Sequence, residues 1–148
     1  MSKRSKSSKP KATHRRLAGI LCPVSSLPSR WGIGDFGQPA YDFIDWLAAA
    51  GQSYWQVLPL SIPDSVGSPY ASPSSLAGSW LYLSPEILAA DGYLPARAIP
   101  KRRLSSQPVR YRQIQADKKR ILWQAFTMFE ATASSATRRA FQVYVKKN

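Results

Sequence analysis

Apolar residues in the first half of the chain form two short runs, at residues 17–22 and 54–60, and a proline closes each run. Short apolar runs of this kind are typical of strands that are covered on both faces. Between them, residues 39–50 carry apolar side chains at helical spacing, with proline near the start and Gly51 beyond the end. The order predicts a βαβ unit with parallel strands. The expected inward face of the helix comprises Tyr41, Ile44 or Phe43, Leu47 and Ala48.

The second half of the chain predicts helices. Ser84 is a candidate N-cap for a short helix over residues 84–91, with proline in its first turn and Glu86 near its positive end. Residues 111–133 predict a long helix, and residues 136–145 predict a final one. The expected buried stripe of the long helix comprises Ile114, Ile121, Leu122, Ala125, Phe126 and Phe129.

Charge is distributed unevenly along the chain, which has a formal net charge of +13. Residues 1–16 contain seven Lys or Arg and no acid, with nothing apolar to bury, so they predict a disordered basic tail. Residues 17–96 contain one arginine and six acids, whereas residues 97–148 contain thirteen basic residues and two acids. Because a surface that follows phosphates interleaves basic residues with aromatics, this separation does not favour a nucleic-acid partner.

Composition excludes several classes of chemistry. With one cysteine, Cys22, and one histidine, His14, the chain has no internal disulfide and no Cys/His metal cluster, so we expect neither a metal nor another cofactor. A histidine-dependent catalytic set is excluded because His14 lies in the predicted tail. No apolar run approaches the ~20 residues that span a bilayer, and no apolar segment follows the basic N-terminus, so we expect neither a membrane anchor nor a signal peptide and predict a cytoplasmic location.

The stretch GIGDFG at residues 32–37 has the letters of a dinucleotide-binding fingerprint. That fingerprint must follow its strand directly, and its acidic partner ~20 residues further on is missing here. These glycines are therefore interpreted as turn residues.

Acidic residues offer no catalytic pair. Glycosyl transfer needs two carboxyl groups that converge on one bond. Of the eight acids, only Asp35 and Asp64 lie in the loops that follow the two predicted strands, where an active site is expected. Neither has an obvious second carboxyl group as a partner. Both are assigned structural or solvated roles, and no catalytic residue is predicted.

The long Ser-, Pro- and Gly-rich loop at residues 61–79 is the candidate binding segment, because loops of this length in a packed domain are usually functional or disordered. Prolines on both sides of Tyr70 stiffen its backbone, so an aromatic face with a hydroxyl tip is presented with little entropy left to lose. Such a side chain suits a sugar ring. Packing of the loop onto a barrel rim is the alternative that composition leaves open.

Five sequence blocks in order resemble the amylomaltases or disproportionating enzymes, the 4-α-glucanotransferases of glycoside hydrolase family 77. They are GILCPVSSLPS from residue 19, GIGDFG from residue 32, AGQSYWQVLPL from residue 50, SPY from residue 68 and AG from residue 77. The resemblance covers residues 17 to about 129, which is most of this chain and roughly the first quarter of a typical member.

The resemblance implies a (β/α)₈ barrel that moves α-1,4-glucan segments to glucose or maltooligosaccharide acceptors through a covalent glycosyl-enzyme. The family's aspartate nucleophile, glutamate acid/base and second aspartate lie further along its sequence. Residues 17–148 are thus expected to be the N-terminal portion of a catalytic barrel, with the first βαβ unit and a helical insertion. We expect the barrel to be incomplete, because one needs ~250 residues.

By the same resemblance, Ser68 and Tyr70 are the expected substrate-binding residues, with the tyrosine ring packed on a glucose unit. The family usually has aspartate at the position of Gly67. The chain alone is expected to be inactive, and its partners would be an α-1,4-glucan and the missing C-terminal part of the barrel. Two alternatives remain, a basic protein that binds a polyanion such as nucleic acid, and a degenerate gene remnant.

Overall fold

A computed structural model describes residues 16–101 and 108–148 of the 148-residue chain. The predicted basic tail lies outside these residues except for Arg16, and residues 102–107 lie outside them as well. None of the helices in the described ranges combines the length and the hydropathy that crossing a bilayer requires.

The predicted βαβ unit is present. Strand β1 (Gly19–Leu21) and strand β2 (Tyr54–Gln56) pair in parallel, with Ile20 opposite Trp55, and helix α1 (Gln38–Ala49) connects them. Proline lies in the first turn of α1, and Gly51 beyond its end has a φ of 69°. Local start and stop signals therefore placed the helix correctly, although both strands are shorter than the apolar runs that predicted them.

The prediction that both strand faces are covered is wrong for the described chain. Leu21 is 55% exposed and Tyr54 is 60% exposed. The expected inward face of α1 is also only partly correct, because Leu47 is buried while Tyr41 and Ile44 are exposed. Within the described residues the sheet has only two strands, so one side of the unit lacks the neighbours that a parallel sheet normally has.

Three further helices follow the βαβ unit: α2 (Pro85–Ala90), α3 (Tyr111–Thr132) and α4 (Ser135–Lys147). The Ser84 hydroxyl accepts the N–H of Ile87 at 3.4 Å, which confirms the predicted cap of α2. All three predicted helices are thus present, with ends within about two residues of the predicted ones.

Helix α3 is the element on which the core is built. Its buried residues contact two clusters, one around Ile33 and Leu81 and the other around Trp31 and Leu94. Helix α4 lies on the far end of α3, where Phe141 packs on the rings of Phe126 and Phe129. The buried residues of α3 are Ile114, Lys118, Ile121 and Ala125.

The glycine-rich stretch forms a tight turn before α1, as predicted. Gly32 has a φ of 79°, and Gly34 donates its N–H to the Ser25 carbonyl at 3.0 Å. A Cβ atom at Gly34 would lie 2.0 Å from the Val24 carbonyl oxygen. This glycine is therefore required by close backbone approach rather than by a bound phosphate.

We expect Gly34→Ala to lower the free energy of unfolding by about 3 kcal/mol, because the added methyl group must displace backbone in a packed region. Gly78→Ala is the matched control, since a Cβ there meets nothing within 4 Å. Urea unfolding followed by tryptophan fluorescence measures both variants. Equal stability of the two would contradict the close-approach interpretation.

Candidate functional site

The loop between β2 and α2 carries both predicted binding residues, and its two ends are joined. The Ser79 N–H donates to the Leu60 carbonyl at 2.7 Å, and Ser61 forms an isolated antiparallel bridge with Gly78. The Ser61 hydroxyl also donates to the Pro69 carbonyl at 3.1 Å. These bonds join the two ends of the loop and hold the segment around Pro69 against them.

A second set of bonds shapes the turn just before the binding residues. The Asp64 carboxylate accepts the N–H groups of Val66 at 3.0 Å and Ser68 at 2.8 Å, and the Asp64 N–H donates to the Ser68 carbonyl at 3.1 Å. Gly67, with a φ of 94°, completes the turn. Asp64 thus has the structural role that the sequence predicted for it.

Ser68 and Tyr70 directly follow this turn. Ser68 is half-buried and precedes the single helical turn Pro69–Ala71, which carries Tyr70. The Tyr70 ring is 76% exposed, so it does not pack the loop onto the described part of the chain. The two predicted residues thus lie on one hydrogen-bonded turn, and their role in binding stays a prediction.

The ring of Tyr111, the first residue of α3, lies against this turn from the core side. A Cβ atom at Gly67 would be 2.2 Å from Cε2 of the Tyr111 ring. Any side chain at position 67, including the aspartate usual in the family that the sequence resembles, would collide with this ring. With the Tyr111 ring in this position, glycine is therefore the residue that fits at position 67.

A buried ion pair lies beneath the loop. Lys118 of α3 is fully buried, and its ammonium donates to Asp35 at 2.8 Å and to the carbonyls of Leu81 at 2.7 Å and Leu83 at 2.9 Å. The other Asp35 oxygen accepts the N–H of Gly37, the residue that caps α1, at 3.0 Å. One side-chain pair thus connects α1, α3 and the end of the binding loop.

Burial dominates the titration of this pair. Removal from water raises the pKa of the Asp35 carboxyl, and the charge and hydrogen bond of Lys118 act in the opposite direction. Burial likewise lowers the pKa of the Lys118 ammonium, and Asp35 opposes that change. Each partner therefore favours the charged form of the other against the effect of burial, and either charge would be far more costly to bury alone.

Sequence reasoning missed this pair. Asp35 was assigned a structural or solvated role, and the structural role is correct, but the lysine that it pairs with was not predicted. Lys118 sits on the buried stripe of α3 between Ile114 and Ile121, and a lysine on an apolar stripe was the available signal. Its partner could not be found from spacing, because the two residues are 83 positions apart.

The remaining acid near this site is also engaged. Both oxygens of Glu86 lie 3.2 Å from Nε1 of Trp31, and the Ser84 hydroxyl donates to one of them at 3.4 Å. Within residues 16–101 and 108–148, no three His, Cys, Asp or Glu side chains are grouped so that they could hold a metal ion. What the described site offers is a polar turn with an exposed aromatic ring.

Comparison with known proteins decides the family. The family model described as 4-alpha-glucanotransferase matches residues 22–148. The chain belongs to the 4-alpha-glucanotransferase family. A relative of that name from Synechocystis sp. is 43% identical over 129 residues, which cover 86% of this chain and 25% of the relative. One from Aquifex aeolicus is 43% identical over 117 residues, which cover 77% of this chain and 24% of the relative.

A solved structure supports the same assignment. This glucanotransferase-family chain superimposes on an amylomaltase from Streptococcus agalactiae in complex with acarbose, with a TM-score of 0.80 and 28% identity. The match covers 90% of this chain and 27% of the amylomaltase. The chain thus has an α/β fold like part of that protein, and it spans about a quarter of the length of its relatives.

We expect Lys118→Met to lower the free energy of unfolding of this family member by about 3–5 kcal/mol, because Asp35 would be left buried without a cation. The exposed neighbour Lys119→Met is the control and should change it by less than about 0.5 kcal/mol. Chemical denaturation measures both. A similar loss in the two variants would show that the buried pair has no special contribution.

Proposed function

We propose that this chain supplies a glucan-contact loop of a 4-α-glucanotransferase, with an α-1,4-glucan or maltooligosaccharide as its ligand. The observation that carries the proposal is the 76% exposure of Tyr70 on a turn held by Asp64 and Ser61, in a chain of this family. Ser68, which is half-buried and two residues before Tyr70, contributes a second hydroxyl.

The chemistry of the turn fits a sugar. The apolar face of a pyranose ring can lie on the Tyr70 ring, while hydroxyl groups of Tyr70 and Ser68 exchange hydrogen bonds with those of the sugar. Because the turn is braced before the ligand arrives, little conformational entropy is lost on binding. The contact therefore contributes more binding free energy than the same contact from a tyrosine on a mobile loop would contribute.

The proposal assigns binding, and not bond cleavage, to this chain. A retaining transfer needs two carboxyl groups ~5–5.5 Å apart. The carboxylates near the loop, those of Asp35, Asp64 and Glu86, all accept hydrogen bonds that shape the fold. We propose that the reacting carboxyl groups belong to the part of the family sequence that this chain does not span.

We further propose that β1, α1 and β2 are the first βαβ unit of a (β/α)₈ barrel that the described residues do not close. Exposed apolar side chains on both strands and on α1 support this, since the next elements of a barrel would cover them. The other part of the barrel is the partner that the proposal implies. The exposed apolar side chains that it would cover are Leu21, Tyr41, Ile44 and Tyr54. A cytoplasmic location stays a prediction of the sequence.

We expect Tyr70→Ala to weaken maltoheptaose binding to the chain by about tenfold, equivalent to about 1.4 kcal/mol. Tyr70→Phe, which keeps the ring, should retain most of the affinity. NMR titration with maltoheptaose measures the dissociation constants. Tyr144→Ala, an exposed tyrosine on α4, is the control that should change nothing. Binding that is indifferent to Tyr70 would refute the proposed contact.

We expect the chain alone to produce no glucose and no longer oligomers from maltotriose, because binding contacts without a nucleophile and an acid/base do not lower the barrier. Addition of a separately produced segment of the Synechocystis relative, from which the matched quarter has been removed, should restore transfer. Chromatography of the oligosaccharides measures both reactions. Turnover by the chain alone would overturn the division of roles.

A further inference from the structure

Helix α3 touches the binding loop at two places that are two helical turns apart. At its first residue, the Tyr111 ring lies on Gly67, just before Ser68 and Tyr70. Two turns later, Lys118 holds the carbonyls of Leu81 and Leu83, where the loop ends. Helix α3 thus contacts the loop both at the binding turn and at the end of the loop.

The contact at Gly67 depends on shape. The Tyr111 ring atoms Cε2, Cδ2 and Cζ would lie 2.2, 2.5 and 2.7 Å from a Cβ atom on residue 67, so the ring occupies the space of the missing side chain. Gly67 also has a φ of 94°, a backbone conformation that other residues rarely adopt. The ring and the backbone of the turn can therefore approach closely only with glycine at this position.

The Tyr111 ring is half-buried and is in contact with the core as well as with the turn. It packs on the core cluster that includes Ile33, Leu81 and Ile114. Tyr82 lies close enough that Tyr111 contributes, after burial, to the raised pKa of the Tyr82 hydroxyl. A displacement of the ring would therefore disturb its packing on this cluster.

The position of Gly67 in turn determines the positions of the binding residues. Gly67 is bonded through its N–H to the Asp64 carbonyl, and the next residue, Ser68, is held by the Asp64 carboxylate. Pro69 then limits the backbone between Ser68 and Tyr70. A shift at Gly67 must therefore move Ser68 and Tyr70 with it.

We infer that Tyr111 is a positioning residue for the glucan-contact turn and acts through Gly67, an inference that rests on the proposed binding role of Tyr70. Tyr111 needs no contact with the sugar for this. The ring and not the hydroxyl makes the contact, so Tyr111→Phe preserves it. Tyr111→Ala leaves the turn without support.

The experiment uses the 148-residue chain and a control that separates positioning from stability. Tyr111→Ala and Ile114→Ala both remove a side chain from the same core cluster, but only Tyr111 touches Gly67. With both variants measured at a temperature where they are fully folded, Tyr111→Ala should raise the dissociation constant for maltoheptaose about fivefold or more. Tyr111→Phe and Ile114→Ala should leave it close to that of the unchanged chain.

Hydrogen exchange gives a readout that does not depend on a ligand. The N–H groups of Val66 and Ser68 are bonded to Asp64, and we expect their exchange in Tyr111→Ala to be about tenfold faster or more. Exchange of the same amides in Ile114→Ala should be unchanged. If the unchanged chain fails to bind maltoheptaose, the proposed function fails, and the exchange rates still decide whether Tyr111 positions the turn.

A substitution in the loop tests the same contact without touching the core. Gly67→Ala should weaken binding and speed exchange at Ser68, and its effect should be smaller in the Tyr111→Ala background, where the colliding ring is absent. Additive effects of the two substitutions would overturn the inference. Equal losses of affinity in Tyr111→Ala and Ile114→Ala would do so as well, because general destabilisation would then explain both.

Discussion

The buried ion pair between Asp35 and Lys118 is the interaction on which the rest of the described structure depends. All three N–H groups of the ammonium have an acceptor, one on Asp35 and two on the backbone at Leu81 and Leu83. A fully buried lysine is tolerated only with such partners. Helix α3 can therefore bury its stripe in one arrangement, with Lys118 opposite Asp35, and this arrangement joins the helical region to the βαβ unit.

The ion pair also determines how the binding loop is presented. It fixes α3 against the end of the loop, and α3 in turn places the Tyr111 ring on Gly67. Asp64 and Ser61 then hold the turn from within the loop. An exposed aromatic ring stands at the outer end of this series of contacts, and buried or half-buried residues support it.

The packing of the βαβ unit is of a different character. Its strands and the outer face of α1 expose apolar side chains, among them Leu21, Tyr41 and Tyr54. Parallel sheets are normally covered on both faces, and the chain spans about a quarter of the length of its relatives. The proposed glucan-contact loop therefore sits on a unit whose packing the described residues complete on one side only.

The sequence by itself determined the local structure and the family. Proline, glycine and Ser84 mark the ends of α1 and α2 because capping and turn formation act over a few neighbouring residues. Five short blocks were enough to indicate the glucanotransferase family, which the comparisons confirm. Ser68 and Tyr70 were predicted as a pair and lie on one turn, and their binding role stays a prediction.

Only the tertiary structure decided which of these features meet. Helix α1 is apolar on more than one side, so its buried face depends on what packs against it, and Tyr41 and Ile44 proved to be exposed. Lys118 and Asp35 are 83 residues apart, and Tyr111 and Gly67 lie in different elements. No local rule connects such residues, because their contact exists only once the loop, the glycine turn and α3 have been brought together by burial of a common core.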